Sequence, residues 1–250
     1  MARVKYLKST LQEVIFQVRF PKILKLTEEV PAVFQEKLIK EYPIYSIQKN
    51  ETIVEFNGKQ QQQVNENNHC FISLSGRTKI NLTSSFLAVS TLEYQRWEAF
   101  KKRILDVLDR FYSCYTVPGI QRIGLRYKNV IARNKLGLEG RAWSDLLDAR
   151  VLGPLSFEEN VVNYNLVFEL KNANDCFTNR HYALVRDSSS NELSLMLDCD
   201  YYYTGFYKTD IVPALSENLH DLSLRFIEES HKEVLLTAMQ PEELEPWQTI

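Results

Sequence analysis

Arg122, Arg126 and Lys128 occupy alternate positions of one stretch, residues 119–131, with Gly124 between the two arginines. Alternation of this kind is a strand, and it places the three cations on one face around a residue without a side chain. The other face reads Ile123, Leu125, Tyr127 and Ile131, interrupted by Asn129. Guanidinium forks match the oxygens of phosphates and carboxylates. The cationic face therefore clamps an anion or pairs with acids on a neighbouring strand. Asp198 and Asp200 are the leading partners. They share one face of a second strand, residues 193–203, with Met196 and Tyr202. Carboxylates at i and i+2 lie roughly 7 Å apart. They would hold a divalent cation only with ligands from elsewhere, or they would oppose Arg122 and Arg126 as cross-strand pairs. Pairing or plain solvation is favoured over a ligand cavity, and both over a metal site, because third ligands are missing.

Other chemistry is thinner. Asn129, on an otherwise apolar face, needs a hydrogen-bond partner. A local bulge that turns it outward is the simpler reading and a ligand contact the sharper one. Tyr201, Tyr202, Tyr203, Phe206 and Tyr207 are the densest aromatic cluster, bent at Thr204-Gly205. Such rings stack on bases or line interfaces, but they also favour strands, and structural use is preferred. His69, His181, His220 and His231 show no metal spacing, and His231, after Glu228 and Glu229, reads as a surface residue. Cys70, Cys114, Cys176 and Cys199 contain no close pair, which predicts reduced, mostly buried thiols. Cys199 falls on the apolar side of its strand, where a thiol is inert. No serine sits in a nucleophile elbow, and no glycine-rich phosphate loop is present. No catalytic residue, cofactor or metal is therefore expected.

The elements that must position these groups follow from periodicity. A strand near 13–20 buries Val14, Phe16, Val18 and Phe20 and ends at Pro21. A helix near 30–41 has Pro31 in its first turn. Short strands near 45–49 and 51–56 lead to a polar run from Asn57 through the glutamines 60–63 to Asn68, which reads as a long mobile hairpin loop. Strands near 70–75, 78–83 and 86–91 precede Ser90-Thr91-Leu92-Glu93, a capping-box pattern for a helix over about 92–115. The lysines and arginines of that helix, Lys101, Lys102, Arg103 and Arg110, read as a solvated face rather than a nucleic-acid face. After Val117-Pro118 come the basic strand, a short helix near 140–150, strands near 161–170, 178–187 and 192–203, and a helix over 211–236 with Leu215, Leu219, Leu222, Phe226 and Ile227 inward. An acidic tail follows from Pro241.

The order of elements rhymes. Residues 1–117 and 118–250 each read strand, short helix, antiparallel strands, long amphipathic helix. The best sequence match between them is weak, residues 105–111 against 219–226. The expected fold is α+β: two similar halves, each a mostly antiparallel sheet covered by a long helix, as two units or one continuous domain. A net charge of -2 disfavours a dedicated polyanion binder. No run reaches the ~18 apolar residues of a membrane span, and the N-terminus lacks the apolar segment of a secretory signal. A cytoplasmic location is expected.

The run Arg122-Ile123-Gly124-Leu125-Arg126-Tyr127-Lys128-Asn129 resembles the signature of a sporadically distributed bacterial family of uncharacterised proteins of about this length. Val18-Arg19-Phe20-Pro21, Glu41-Tyr42-Pro43 and Tyr94-Gln95-Arg96-Trp97-Glu98-Ala99-Phe100 also fit it. The resemblance implies a cytoplasmic protein of accessory, defence or toxin-antitoxin loci. It implies no activity and no catalytic residue.

The expected function is a non-enzymatic binding or interaction protein, with Arg122, Arg126, Lys128, Asn129, Asp198, Asp200 and Tyr202 as candidate binding residues. Its partner would be a protein or a small anionic ligand. The alternatives are an enzyme acting on a phosphorylated or nucleotide substrate, with Arg122 and Arg126 as anion clamps, and a nucleic-acid-binding protein, which the charge disfavours.

Overall fold

The computed structural model describes the chain except residues 1–3, 57–58, 159, 187–191 and 246–250; for residues 50–65 it describes backbone only. In chain order the strands and helices are β1 (Val4–Tyr6), β2 (Leu11–Arg19), α1 (Lys25–Glu28), α2 (Ala32–Leu38), β3 (Ile44–Phe56), β4 (Lys59–Ile72), β5 (Thr78–Leu82), β6 (Phe86–Thr91) and α3 (Trp97–Tyr112). Then follow β7 (Ile120–Ile131), α4 (Arg133–Leu136), α5 (Trp143–Leu146), α6 (Ala149–Leu152), β8 (Asn165–Lys171), β9 (Cys176–Arg186), β10 (Leu193–Tyr207), α7 (Val212–Ser230), α8 (Glu233–Ala238) and β11 (Pro241–Glu243). The fold is α+β.

Nine strands form one antiparallel sheet in the order β3-β4-β5-β6-β2-β7-β10-β9-β8. The small β1–β11 pair stands apart. The two opening strands, β2 and β7, lie side by side at the centre. On each flank the last strand, β6 or β10, returns beside the first, and the remaining strands meander outward.

Alternation sends one set of side chains to each face. A row across seven of the nine strands, Tyr45, Phe71, Ile80, Val89, Phe16, Leu125 and Tyr201, faces the helices. Helices α2 and α3 meet the first flank through Phe34, Phe111 and Phe20. Helix α3 buries Trp97, Phe100, Ile104, Val107, Leu108 and Phe111, a stripe at spacings of three and four. Helix α7 lies over the second flank, with Leu219 and Phe226 buried and His220 bonded to the Tyr127 hydroxyl at 2.8 Å. The helices join at Glu217, which accepts from Trp97 Nε1 (2.8 Å) and Lys101 Nζ (2.6 Å). Phe16 is fully buried at the centre of this layer. Truncating such a side chain to alanine costs about 3–5 kcal/mol.

Several expectations need correction. The glutamine run is not a loop: residues 60–63 lie in β4, paired with β3 along one long hairpin. A continuous backbone ladder outweighs weak β-propensity; Asn57 and Gly58 lie outside the described residues. Ser90 and Thr91 close strand β6 rather than cap a helix. Thr91 Oγ1 instead accepts from Glu93 N–H at 3.2 Å, a local turn bond, and the helix starts at Trp97 with no side-chain cap. The helix expected over 211–236 breaks at His231, whose extended backbone bridges Leu147. His231 is buried there, not on the surface, and Ser230 Oγ lies 2.8 Å from its Nδ1. No helix among the described residues is long and apolar enough to cross a membrane.

Candidate functional site

The face opposite the helices gathers the charged residues. Along β7 and β10 the facing pairs are Arg122 and Thr204, Gly124 and Tyr202, Arg126 and Asp200, Lys128 and Asp198. The ion pairs do not follow these rungs. Each arginine leans along its strand, so both pairs are diagonal. Arg126 donates through Nε and Nη2 to the two oxygens of Asp198, at 2.7 and 2.5 Å. Arg122 crosses over Gly124 to reach Asp200 through Nη2 at 2.7 Å, and its Nη1 donates to Gln17 Oε1 at 3.2 Å.

Gly124 is what makes this crossing possible. A Cβ at that position would collide with Arg122 Nη1 and lie 3.0 Å from its Cζ. The glycine is required by the side chain lying across it, not by backbone conformation. The guanidinium also covers the Tyr202 ring at 4.4 Å. Tyr202 in turn stacks on Phe177, with centroids 5.5 Å apart and planes at 19°. Lys171 Nζ stands 5.8 Å from the Phe177 centroid. Four strands are thus crossed by one run of stacked groups, Arg122, Tyr202, Phe177 and Lys171. The Tyr202 hydroxyl donates to Glu169.

Burial divides the two ion pairs. Asp198 is only 5% exposed while the Arg126 side chain that covers it is 45% exposed. Arg126 presents one edge to Asp198 and the other to solvent. The bond to Asp198 raises the Arg126 pKa further above the ordinary guanidinium value. Burial pushes the Asp200 carboxyl up despite the opposing pull of Arg122 and Arg126. Burial, then the bond to Glu169, pushes the Tyr202 phenol up to about 12.

Beside Arg126 lies a hollow of about 190 Å³, lined by Arg126, Val167, Asn179, His181, Asp198 and Asp200. His181 Nε2 is 2.8 Å from Asn165 Oδ1, a bond in which the imidazole is the donor. Lys128 is half-buried on the same face, beside Asp198 and Glu13.

Not all the candidate residues meet. Arg122, Arg126, Lys128, Asp198, Asp200 and Tyr202 share the open face. Asn129 belongs to the other side of its strand, where its Oδ1 accepts from Thr10 Oγ1 at 3.1 Å. The register of β2 against β7 shifts there, between Leu11 and Glu13, the bulge that an amide on an apolar face implies. Tyr201 and Tyr203 point into the core. Cys199 is buried among them, its thiol pushed up to about 12 by burial, which leaves it inert. The cysteines are free thiols, three of them buried. Gln17, Phe177, Asn179, His181 and Glu169 complete the site and were not singled out in the sequence. Their alternation is visible, but only the pairing of β9 and β8 with β10 brings them to the arginines. Among the described residues, no three His, Cys, Asp or Glu side chains converge as a metal site would require.

The groups gathered on this face are fixed charges and ring faces. Both carboxylates are already held by arginines. Neither family models nor curated proteins match this chain.

Proposed function

We propose that this chain is a non-enzymatic interaction protein whose partner is another protein, docked on the open sheet face over β7, β10, β9 and β8. The observation that carries this reading is the half-exposed Arg126 fixed on a buried Asp198, beside the stack of Arg122, Tyr202 and Phe177. Arginine and aromatic side chains that are held rigid before binding lose little entropy on contact, and they dominate protein interfaces. A photo-crosslinking residue in place of Tyr202, expressed in the native host, tests it. The expected result is one adduct of discrete mass, absent when the crosslinker replaces Ser46 on the other flank. No adduct at Tyr202, or equal adducts at both positions, contradicts the reading.

The second reading is an enzyme acting on a phosphorylated or nucleotide substrate. The raised Asp200, which lines the same hollow as His181, favours it, since proton transfer uses carboxyls shifted upward. Turnover of phosphoesters that disappears in Asp200→Asn, with the fold intact, would establish it over the first.

The resemblance to the bacterial family belongs to the same proposal. Its signature reads here as a structural prescription: Arg122 and Arg126 for the pairs, Gly124 for the crossing, Asn129 for the bulge. The proposal includes an internal duplication of residues 1–117 and 118–250. Its support is the shared order on each flank, with the first strand central, the last beside it and a long helix following. The flanks differ by one strand, five against four.

A further inference from the structure

Arg19 closes β2 on the open face, beside the run of stacked groups. Val14, Phe16 and Val18 are fully buried on the other side of that strand, whereas Arg19 is exposed. Its facing residue on β7 is Arg122, and on β6 it is Phe86. The register therefore sets one arginine directly against another and brings no acid to Arg19. Like charges in facing positions oppose folding. Gln17 eases the contact: its Oε1 accepts from Arg19 Nε and from Arg122 Nη1, each at 3.2 Å. A guanidinium cannot accept, so the amide oxygen lies between the two cations and the amide nitrogen is left to donate. Arg122 has Asp200 as its counter-ion at 2.7 Å. Arg19 makes no ion pair among the described residues; its side chain bonds to Gln17 alone.

We infer that the partner protein places an aspartate or glutamate side chain on Arg19, where the Gln17 amide also holds it. The inference rests on the open face being a protein interface, and it extends that interface onto β2. Charge selects the ligand. Arg122 and Asp200 cancel, which leaves Arg19 as the unmatched cation of this corner. One carboxylate cancels it, whereas a phosphate dianion brings a charge too many. Both terminal nitrogens of Arg19 are open to the two carboxylate oxygens. Exposure selects a macromolecule. A free carboxylate on an exposed arginine gains little in water. Contact around the Tyr202 and Phe177 rings supplies the remaining energy and keeps water out. The placement fits, because Gln17 begins the row that continues through Gly124, Tyr202 and Phe177.

The test uses the whole chain in its native host, with a photo-crosslinking residue in place of Tyr202 and Arg19 either intact or replaced. Arg19→Glu should cut the yield of the discrete adduct by about tenfold or more, Arg19→Gln by less and Arg19→Lys least. Mass spectrometry of the crosslinked partner segment should show an aspartate or glutamate, and changing that acid to lysine in the partner should restore the adduct with Arg19→Glu. No adduct with Arg19 intact contradicts the interface itself, and the inference falls with it. An adduct whose yield Arg19→Glu leaves unchanged overturns the inference and leaves the interface standing. A phosphorylated residue in the crosslinked segment in place of the acid also overturns it. Purified Arg19→Gln should unfold at a Tm no lower than wild type, because it removes a like-charge contact. A fall of about 4 °C or more would make Arg19 a structural residue and overturn the inference.

Discussion

The two flanks of the open sheet face share a backbone plan and differ in chemistry. Outward from Gln17, one row runs Ala88, Asn81, Cys70, Ser46 on the first flank and Gly124, Tyr202, Phe177, Lys171 on the second. Outward from Ile15, the next runs Ser90, Lys79, Ile72, Ile44 against Arg126, Asp200, Asn179, Glu169. In these two rows the first flank carries small or apolar side chains and one charge, Lys79. Its internal bonds are short and local, such as Asn81 Nδ2 to Asn68 Oδ1 at 3.0 Å. The first flank shows what a sheet face of this kind needs for folding. The arginines, acids and rings of the second go beyond it, which is why function is assigned there.

The contrast extends to the helical side, where His69 on the first flank and His231 on the second are both buried. Burial lowers the pKa of both, His231 to about 4. A histidine whose folded pKa lies below its unfolded value of 6.5 contributes stability that is complete above that value and lost as pH falls toward 4. His231 should cost about 3 kcal/mol over this window. Denaturant unfolding from pH 7 to 4 should show that loss, flattened in His231→Gln. If His69→Gln flattens it instead, the sensitive histidine belongs to the first flank.

Arg126→Ala should cost about 2 kcal/mol, because it leaves Asp198 buried and unpaired. Asp198→Ala should cost less, roughly 1 kcal/mol, since Arg126 can return to water. Urea unfolding distinguishes the order. The reverse order would mean that Asp198 is better solvated than its burial indicates.

Gly124→Ala should cost about 1 kcal/mol by displacing Arg122. It should add little in an Arg122→Ala background, because the two residues act through one contact. Full additivity would place the strain elsewhere. The smallest effect belongs to the first flank: Lys79→Ala should stay within about 0.5 kcal/mol.

Much of this was legible in the sequence, and the remainder has physical reasons. Period 2 puts Arg122, Gly124 and Arg126 on one face and Asp198 and Asp200 on another, and opposite charge joins them. The diagonal offset is not legible, because it depends on how the arginine side chains lean along β7. Phe177, His181 and Asn179 stayed hidden because nothing local says which strand lies beside β10. The glutamines of β4 misled because composition describes a side chain's preference and not the ladder its backbone completes. His231 misled because the acidic neighbours suggest solvent, whereas the helix break turns its ring inward.

The most direct test of the central claim is affinity capture of the whole chain from its native host, comparing wild type, Arg126→Glu and Lys79→Glu, each checked for an intact fold. One protein should be retained by wild type and by Lys79→Glu and be lost with Arg126→Glu. Retention by all three, or loss through Lys79→Glu alone, would contradict the assignment of binding to the arginine flank.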